Sequence, residues 1–152
     1  MIRRVTVRAI ILHEDKLLCV QQKPYSAISA SMVQTNSWAT PGGGLDVGEA
    51  ILAGLEREII EELGVKPIVG NLLYVQQFAH KEEEQLELFF NIINPQAFLN
   101  IDLSKTTHGD TEIKTAEFIE PATSPILPKF LTTENLIEKA NGNTPPTIFS
   151  YL

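Results

Sequence analysis

From Arg3 onward, Val5, Val7, Ala9 and Ile11 alternate with polar Thr6 and Arg8. Period-two alternation is the mark of a half-buried strand, so Arg3 to Leu12 is predicted as one. His13-Glu14-Asp15 reads as a tight turn, and Lys16 to Gln22, with Leu17, Leu18, Cys19 and Val20, as the returning strand. Pro24 to Ser37 is polar, rich in small residues and without a period, which makes it a loop of a length that often carries function. Trp38 to Thr40 is a short strand ended by Pro41, and Gly42-Gly43-Gly44 is a turn that glycine makes cheaply.

The period then changes. Leu52, Leu55, Ile59 and Leu63 fall on one face at helical spacing, which predicts a helix from Glu49 to Leu63 with Gly64 as its C-terminal cap. Leu72 to Phe78 and Leu86 to Ile93 are apolar strands, joined by the acidic stretch Lys81 to Gln85 as a hairpin loop. Asn94 to Asp110 is irregular, and Glu112 to Ile119 is a further strand stopped by Pro121. Thr133 to Ala140 is a short helix, with Thr133 as cap and Gly142 at its end. Neither repeat nor linker divides the chain, so residues 1–152 are read as one domain. Strands on both sides of a helix, with a hairpin between them, indicate a mixed α/β sandwich.

Composition narrows the function. The chain of 152 residues is 43% hydrophobic and 20% charged, enough for a real core. A net charge of −7 argues against a broad nucleic-acid surface, which is normally basic. A small phosphorylated substrate stays open, because a local metal site attracts phosphate on an acidic protein. No apolar run has the length of a membrane span. Met1-Ile2-Arg3-Arg4 lacks the apolar stretch of a signal peptide behind it. Cys19 is the one cysteine, which excludes an internal disulfide. Together these features point to the cytoplasm. A homodimer is compatible with them.

The chemistry concentrates between Gly43 and Val65. Glu58, Glu61 and Glu62 stand at i, i+3 and i+4, within an arc of about 100° on the helix. Like charges at that spacing cost a few tenths of a kcal/mol per pair. One reading is a solvated acidic face. The other is a set of hard oxygen ligands for Mg²⁺ or Mn²⁺. The surroundings favour the second: the arc borders the apolar stripe, Arg57 can fork onto a carboxylate, and Glu49 can reach Arg57 across the helix. The glycine turn enters from outside the helix, so its backbone can approach a ligand closely.

This segment resembles the Nudix box, G-x5-E-x7-R-E-U-x-E-E-x-G-U, where U is a bulky aliphatic. Gly43, Glu49, Arg57, Glu58, Glu61, Glu62 and Gly64 fill the fixed positions, and Ile59 and Val65 fill the aliphatic ones. At about 5–8% usage per residue type, a chance match in this chain is on the order of one in a million or rarer. The resemblance implies an α/β/α sandwich around a mixed β-sheet. It implies metal binding by Glu58, Glu61 and Glu62, joined by the Gly42 carbonyl, with Arg57 and Glu49 as an orienting pair. Thr40 and Asp46 depart from the usual residues at their positions, outside the ligand set.

Family members often add a carboxylate from a loop before the last strand as base or extra ligand. Glu112 is the candidate here, with Asp110 behind it, against the alternative of an ordinary surface acid. Lys23 resembles the basic residue that contacts phosphate at the end of the second strand, or is a surface lysine; the Gly43 backbone is the other candidate for substrate contact. Glu82, Glu83, Glu84 and Glu87 read as solvated. Trp38 suits core packing, Tyr25 is open, and His13, His80 and His108 lack ligand spacing. The implied reaction is metal-dependent hydrolysis of a phosphoanhydride in a nucleoside diphosphate linked to another group. The alternatives are a non-catalytic ligand sensor on the same fold, or an isomerase of isoprenoid diphosphates, against which the setting of Cys19 speaks.

Overall fold

The alternating segment at the start of the chain forms strand β1, Ile2–Ile10, and the turn at Glu14-Asp15 joins β2, Leu12–His13, to β3, Lys16–Gln22. A computed structural model describes residues 2–23, 37–109 and 113–152. Then come β4, Trp38–Ala39, and β5, Gly42–Gly44, before helix α1, Ile51–Leu63. The hairpin is β6, Val69–His80, and β7, Glu83–Ile92. Strands β8, Ile113–Ile119, and β9, Ile126–Leu127, precede two short helices, α2, Phe130–Thr133, and α3, Leu136–Asn141. Strand β10, Thr147–Ser150, follows.

Among the described residues, the β layer is two five-stranded sheets rather than one. The first runs β10-β6-β7-β1-β5, and the second β2-β3-β4-β9 with β8 paired to β3. Both are mixed: β1 pairs β7 in parallel and β5 antiparallel, while β4 pairs β9 in parallel and β3 antiparallel. Backbone bonds join the sheets, with Leu18 N–H donating to the Ile11 carbonyl at 2.9 Å and Ala9 N–H to the Pro41 carbonyl at 2.9 Å.

Neighbouring residues of a strand face opposite ways, and here they enter different cores. Val7, Ala9, Ile11, Leu18, Val20 and Phe90 pack with Leu55, Ile59 and Leu63 of α1. Ile10, Leu17, Cys19, Phe89 and Tyr74 pack with Phe130, Leu131 and Leu136 of α2 and α3. Helices therefore cover both faces of the β layer, the expected α/β/α sandwich. Burial of Leu55, Ile59 and Leu63 contributes about 1.5–3 kcal/mol each, which fixes the face that α1 turns inward.

Several local expectations are corrected. Leu52 belongs to the helical stripe by spacing but is 54% exposed, because the core contact begins a turn later at Leu55. Helix α1 starts at Ile51, which leaves Glu49 outside the helix in a turn where its N–H donates to the Asp46 carbonyl at 3.0 Å. The hairpin loop shrinks to Lys81-Glu82, with Lys81 at φ 55°, and Glu83 to Gln85 join β7 because β1 pairs with them there. Two 3-10 turns, Pro95–Phe98 and Leu103–Lys105, lie in the stretch read as irregular. The C-terminal helix is split. Asn135, not Thr133, caps its second half by accepting from Glu138 N–H at 3.1 Å. Among the described residues, no helix is long and apolar enough to cross a membrane.

Candidate active site

Strand β5 runs antiparallel to β1, with Arg8 opposite Gly42, Val7 opposite Gly43 and Thr6 opposite Gly44. Gly42 has φ 141°, and a Cβ there would strike the Val7 carbonyl. At Gly43 a Cβ would sit 2.5 Å from Glu58 Oε2 and 2.6 Å from its Cδ. Two bare positions thus let the strand pass between β1 and the glutamates of α1.

Arg57 is the hub of the helix side. Its Nε donates to Glu49 Oε2 at 2.7 Å and Nη2 to Glu49 Oε1 at 2.9 Å. Nη1 donates to Glu58 Oε1 at 3.2 Å and Glu61 Oε2 at 3.1 Å, and Nη2 reaches the Gly44 carbonyl at 3.3 Å. One planar guanidinium therefore ties the turn before α1, strand β5 and two of the candidate ligands together. Glu49 Oε1 also accepts from Asp46 N–H at 3.1 Å. The hydrogen bonds from Arg57, with that backbone bond, hold the Glu49 carboxyl down at about 2. Glu58 is shifted the other way, because burial raises its pKa against the pull of Arg57.

Glu62 is 1% exposed, with Oε2 3.5 Å from the Gly42 amide. Glu61 also meets a residue that spacing did not single out: His108 Nδ1 lies 3.2 Å from Glu61 Oε2, and His108 N–H donates to the Glu61 carbonyl at 2.8 Å. A Cβ on Gly109 would clash with the Glu62 carbonyl and Thr106 Oγ1, so this loop docks closely on the end of α1. The fold alone brings His108 there, across an irregular stretch with no period to place it.

Glu87, read as solvated, is instead nearly buried. Its Oε2 accepts from Arg8 Nε at 3.3 Å and its Oε1 from Gln76 Nε2 at 3.0 Å. Arg8 Nη1 also donates to the Thr40 and Gly42 carbonyls, each at 3.2 Å. The available signal was a charged residue in the middle of an apolar strand. Glu84, also read as solvated, is as little exposed as Glu87: it accepts from exposed Arg3 Nε at 2.7 Å and from Gln77 Nε2 at 2.8 Å.

Among the described residues, no three acids, histidines or cysteines close round a common point as a finished metal site. Glu58 and Glu61 turn to Arg57, and Glu62 turns to Gly42. The donor set nevertheless fits a hard divalent cation. Glu58, Glu61 and Glu62 offer carboxylate oxygens beside the Gly42 carbonyl, the hard donors that Mg²⁺ and Mn²⁺ take.

Lys23 directly follows β3. Tyr25, Asp110 and Glu112 lie outside the described residues. Trp38 packs against the core on the α2–α3 face, and His13 meets the Phe118 ring at 5.8 Å. Cys19 is fully buried and burial pushes its thiol up, which makes it a strand residue rather than a nucleophile.

Comparison with known proteins places this geometry. The NUDIX domain family model matches residues 2–136. No curated protein matches the chain. Among solved structures, the E. coli ORF135 protein is 21% identical with a TM-score of 0.68, over 95% of this chain and 96% of that one. A UDP-X diphosphatase is 23% identical with a TM-score of 0.68, over 97% of this chain and 68% of that one. An ADP-ribose pyrophosphatase from Streptococcus suis is 18% identical with a TM-score of 0.61, over 96% and 98%. These likenesses establish the fold, and the family match over most of the chain establishes the lineage: the chain belongs to the NUDIX domain family.

Proposed function

We propose that this NUDIX enzyme hydrolyses the phosphoanhydride of a nucleoside diphosphate linked to another group, with Mg²⁺ or Mn²⁺ as cofactor. The observation that carries the reading is the single guanidinium of Arg57, which fastens Glu49 and the Gly44 carbonyl to Glu58 and Glu61. A solvated acidic face has no need of that clamp. A pyrophosphohydrolase does, because its ligands must keep one geometry against β5. Two of the structural neighbours are a UDP-X diphosphatase and an ADP-ribose pyrophosphatase, which agrees with this substrate class.

Glu58, Glu61 and Glu62, with the Gly42 carbonyl, are the residues that would hold the metal. When bound, a divalent ion neutralises phosphate charge and lowers the pKa of an attacking water. Arg57 keeps Glu58 and Glu61 in register, with Glu49 as its anchor. The backbone of Gly43 and the side chain of Lys23 contact substrate phosphates. Glu112 takes the proton from water, with Asp110 as the alternative base. The substrate is a small nucleotide, met in the cytoplasm, and residues 1–152 act as one domain. An intact set of box acids argues against a sensor without catalysis.

The test is a panel of nucleoside triphosphates, ADP-ribose, sugar nucleotides and dinucleoside polyphosphates with Mg²⁺ or Mn²⁺. Release of nucleoside monophosphate, abolished by excess chelator, is the expected result. Tight binding without turnover would establish the sensor instead. Glu112→Gln should lower kcat by about 10²–10⁴ and leave Mn²⁺ affinity nearly unchanged; wild-type turnover would move the base elsewhere.

A further inference from the structure

Arg8 holds the opposite end of the glycine strand from Arg57. We infer that it is a second positioning residue of the active site, which pins the Gly42–Gly43 peptide so that Glu58 and Glu62 keep their places against it. The inference rests on reading β5 and α1 as the catalytic centre.

Two peptide planes are at issue, and both are trans. In a trans peptide the carbonyl and the N–H point in opposite directions. The Pro41 carbonyl accepts from Ala9 N–H at 2.9 Å, so the Gly42 N–H of the same plane points away from β1, where Glu62 Oε2 lies at 3.5 Å. The next plane joins two glycines, so no side chain restricts its rotation. Its carbonyl, on Gly42, is held by Arg8 Nη1 at 3.2 Å, and the same nitrogen holds the Thr40 carbonyl at 3.2 Å. Beside this plane packs the Glu58 carboxylate, close enough that a Cβ on Gly43 would meet it at 2.5 Å. Rotation of the peptide would displace Glu58.

Arg8 is itself fixed from two further strands. Glu87 on β7 accepts from its Nε at 3.3 Å, and Gln76 on β6, opposite Glu87 in the register, donates to the other oxygen at 3.0 Å. The side chains of Arg8 and Glu87 are 13% and 12% exposed. A nearly buried ion pair is weak evidence for stability, since an apolar replacement often serves as well. Here its geometric product is the stronger explanation. A planar fork can direct one nitrogen to two carbonyls while another meets Glu87, and an ammonium cannot reproduce that.

The experiment compares the full-length wild type with Arg8→Lys and Glu87→Gln, using the panel nucleotide that wild type turns over fastest. Arg8→Lys keeps the charge that Glu87 needs. Glu87→Gln keeps one acceptor oxygen, which can serve Arg8, and Gln76 can turn its amide to accept from the new NH2. The expected result for Arg8→Lys is a kcat lower by about 10–100-fold. KM should stay within about twofold and the melting temperature near wild type. The Gly43 amide should shift in the ¹H–¹⁵N spectrum of the metal-free protein. Glu87→Gln should move the same amide and kcat in the same direction, by less. Unchanged kcat with an unmoved Gly43 amide would overturn the inference. So would a fall in kcat that only follows the folded fraction, or a rise in KM at constant kcat, which would make Arg8 a substrate contact. If wild type hydrolyses no panel member, the functional reading fails, and the amide spectrum alone decides the role of Arg8.

Discussion

Arg57 grips Glu49 with two parallel hydrogen bonds, Nε to Oε2 at 2.7 Å and Nη2 to Oε1 at 2.9 Å, although Glu49 lies outside the helix that carries Arg57. The pair staples the connection from β5 to the body of α1. Arg57→Ala would leave Glu49, Glu58 and Glu61 without their common donor. Arg57 is about one-third exposed, so the loss should be below the ~3–5 kcal/mol of a fully buried pair, near ~2–3 kcal/mol. Urea denaturation and steady-state kinetics should both show a defect. Unchanged values in both would make Arg57 an ordinary surface residue.

The same pair makes a pH prediction. The Glu49 carboxyl is held at about 2 in the folded protein, by Arg57 first and the Asp46 amide second. In the unfolded chain it titrates near the usual ~4.3. As pH falls, the unfolded state takes up the proton first, which favours unfolding. The contribution of Glu49 is therefore complete above about 4.3 and is lost as pH drops toward about 2. Wild type should be more stable than Glu49→Gln at pH 7, with the gap closing between about pH 5 and 2. A gap independent of pH would show that the carboxylate charge is not what stabilises the turn.

Much of this arrangement was legible in the sequence, and the boundary has physical causes. Arg57, Glu58 and Glu61 lie within about one turn of α1, so helical spacing brings them together, while Glu49 reaches Arg57 from the turn before the helix. Gly64 announces its role because a left-handed cap, here at φ 73°, favours glycine. Arg8, Gln76 and Glu87 could not be found that way. They are distant in sequence and meet only because β1, β6 and β7 are neighbours in one sheet. The hairpin loop is shorter than the sequence suggests because Glu83 and Glu84, acidic like solvent residues, are paired with β6 on one side and β1 on the other. Leu52 shows the converse: it shares the apolar face of α1, yet it is exposed, and burial on that face begins at Leu55.

Glu61→Gln and Glu62→Gln should separate in stability yet agree in activity. Glu62 is 1% exposed, and the change keeps its shape while it relieves the like-charge i,i+4 repulsion with Glu58. Its melting temperature should hold or rise. Glu61→Gln weakens the half-buried i,i+4 pair with Arg57 and the contact with His108, a loss of about 0.5–1 kcal/mol. Both should lose more activity than the ~10–100-fold typical of groups that merely support a ligand. Both should also weaken Mn²⁺ binding, followed by the EPR signal of the free ion. Wild-type Mn²⁺ affinity in both variants would remove these carboxylates from the metal site.

Gly43→Ala and Gly54→Ala should fail in different ways. In an open helix, glycine to alanine gains about 1 kcal/mol. Gly54 lies in α1, but a Cβ there would strike the Leu45 side chain and stand 2.9 Å from Glu49 Oε1. Both neighbours belong to the segment between β5 and α1, so the clash pushes that segment off the helix. Gly54→Ala should therefore lower stability in spite of its better propensity. At Gly43, the obstacle is the Glu58 carboxylate, with Oε2 at 2.5 Å, Cδ at 2.6 Å and Oε1 at 2.8 Å from an added Cβ. The obstacles at Gly54 are side-chain ends too, but Leu45 packs against the core and Glu49 is gripped twice by Arg57. Glu58 meets Arg57 through one bond at 3.2 Å, so Gly43→Ala should stay folded while it turns Glu58 aside. Its melting temperature should change less than that of Gly54→Ala, and its kcat should fall further. If Gly43→Ala keeps full turnover and wild-type Mn²⁺ affinity, the position of Glu58 against β5 has no part in catalysis.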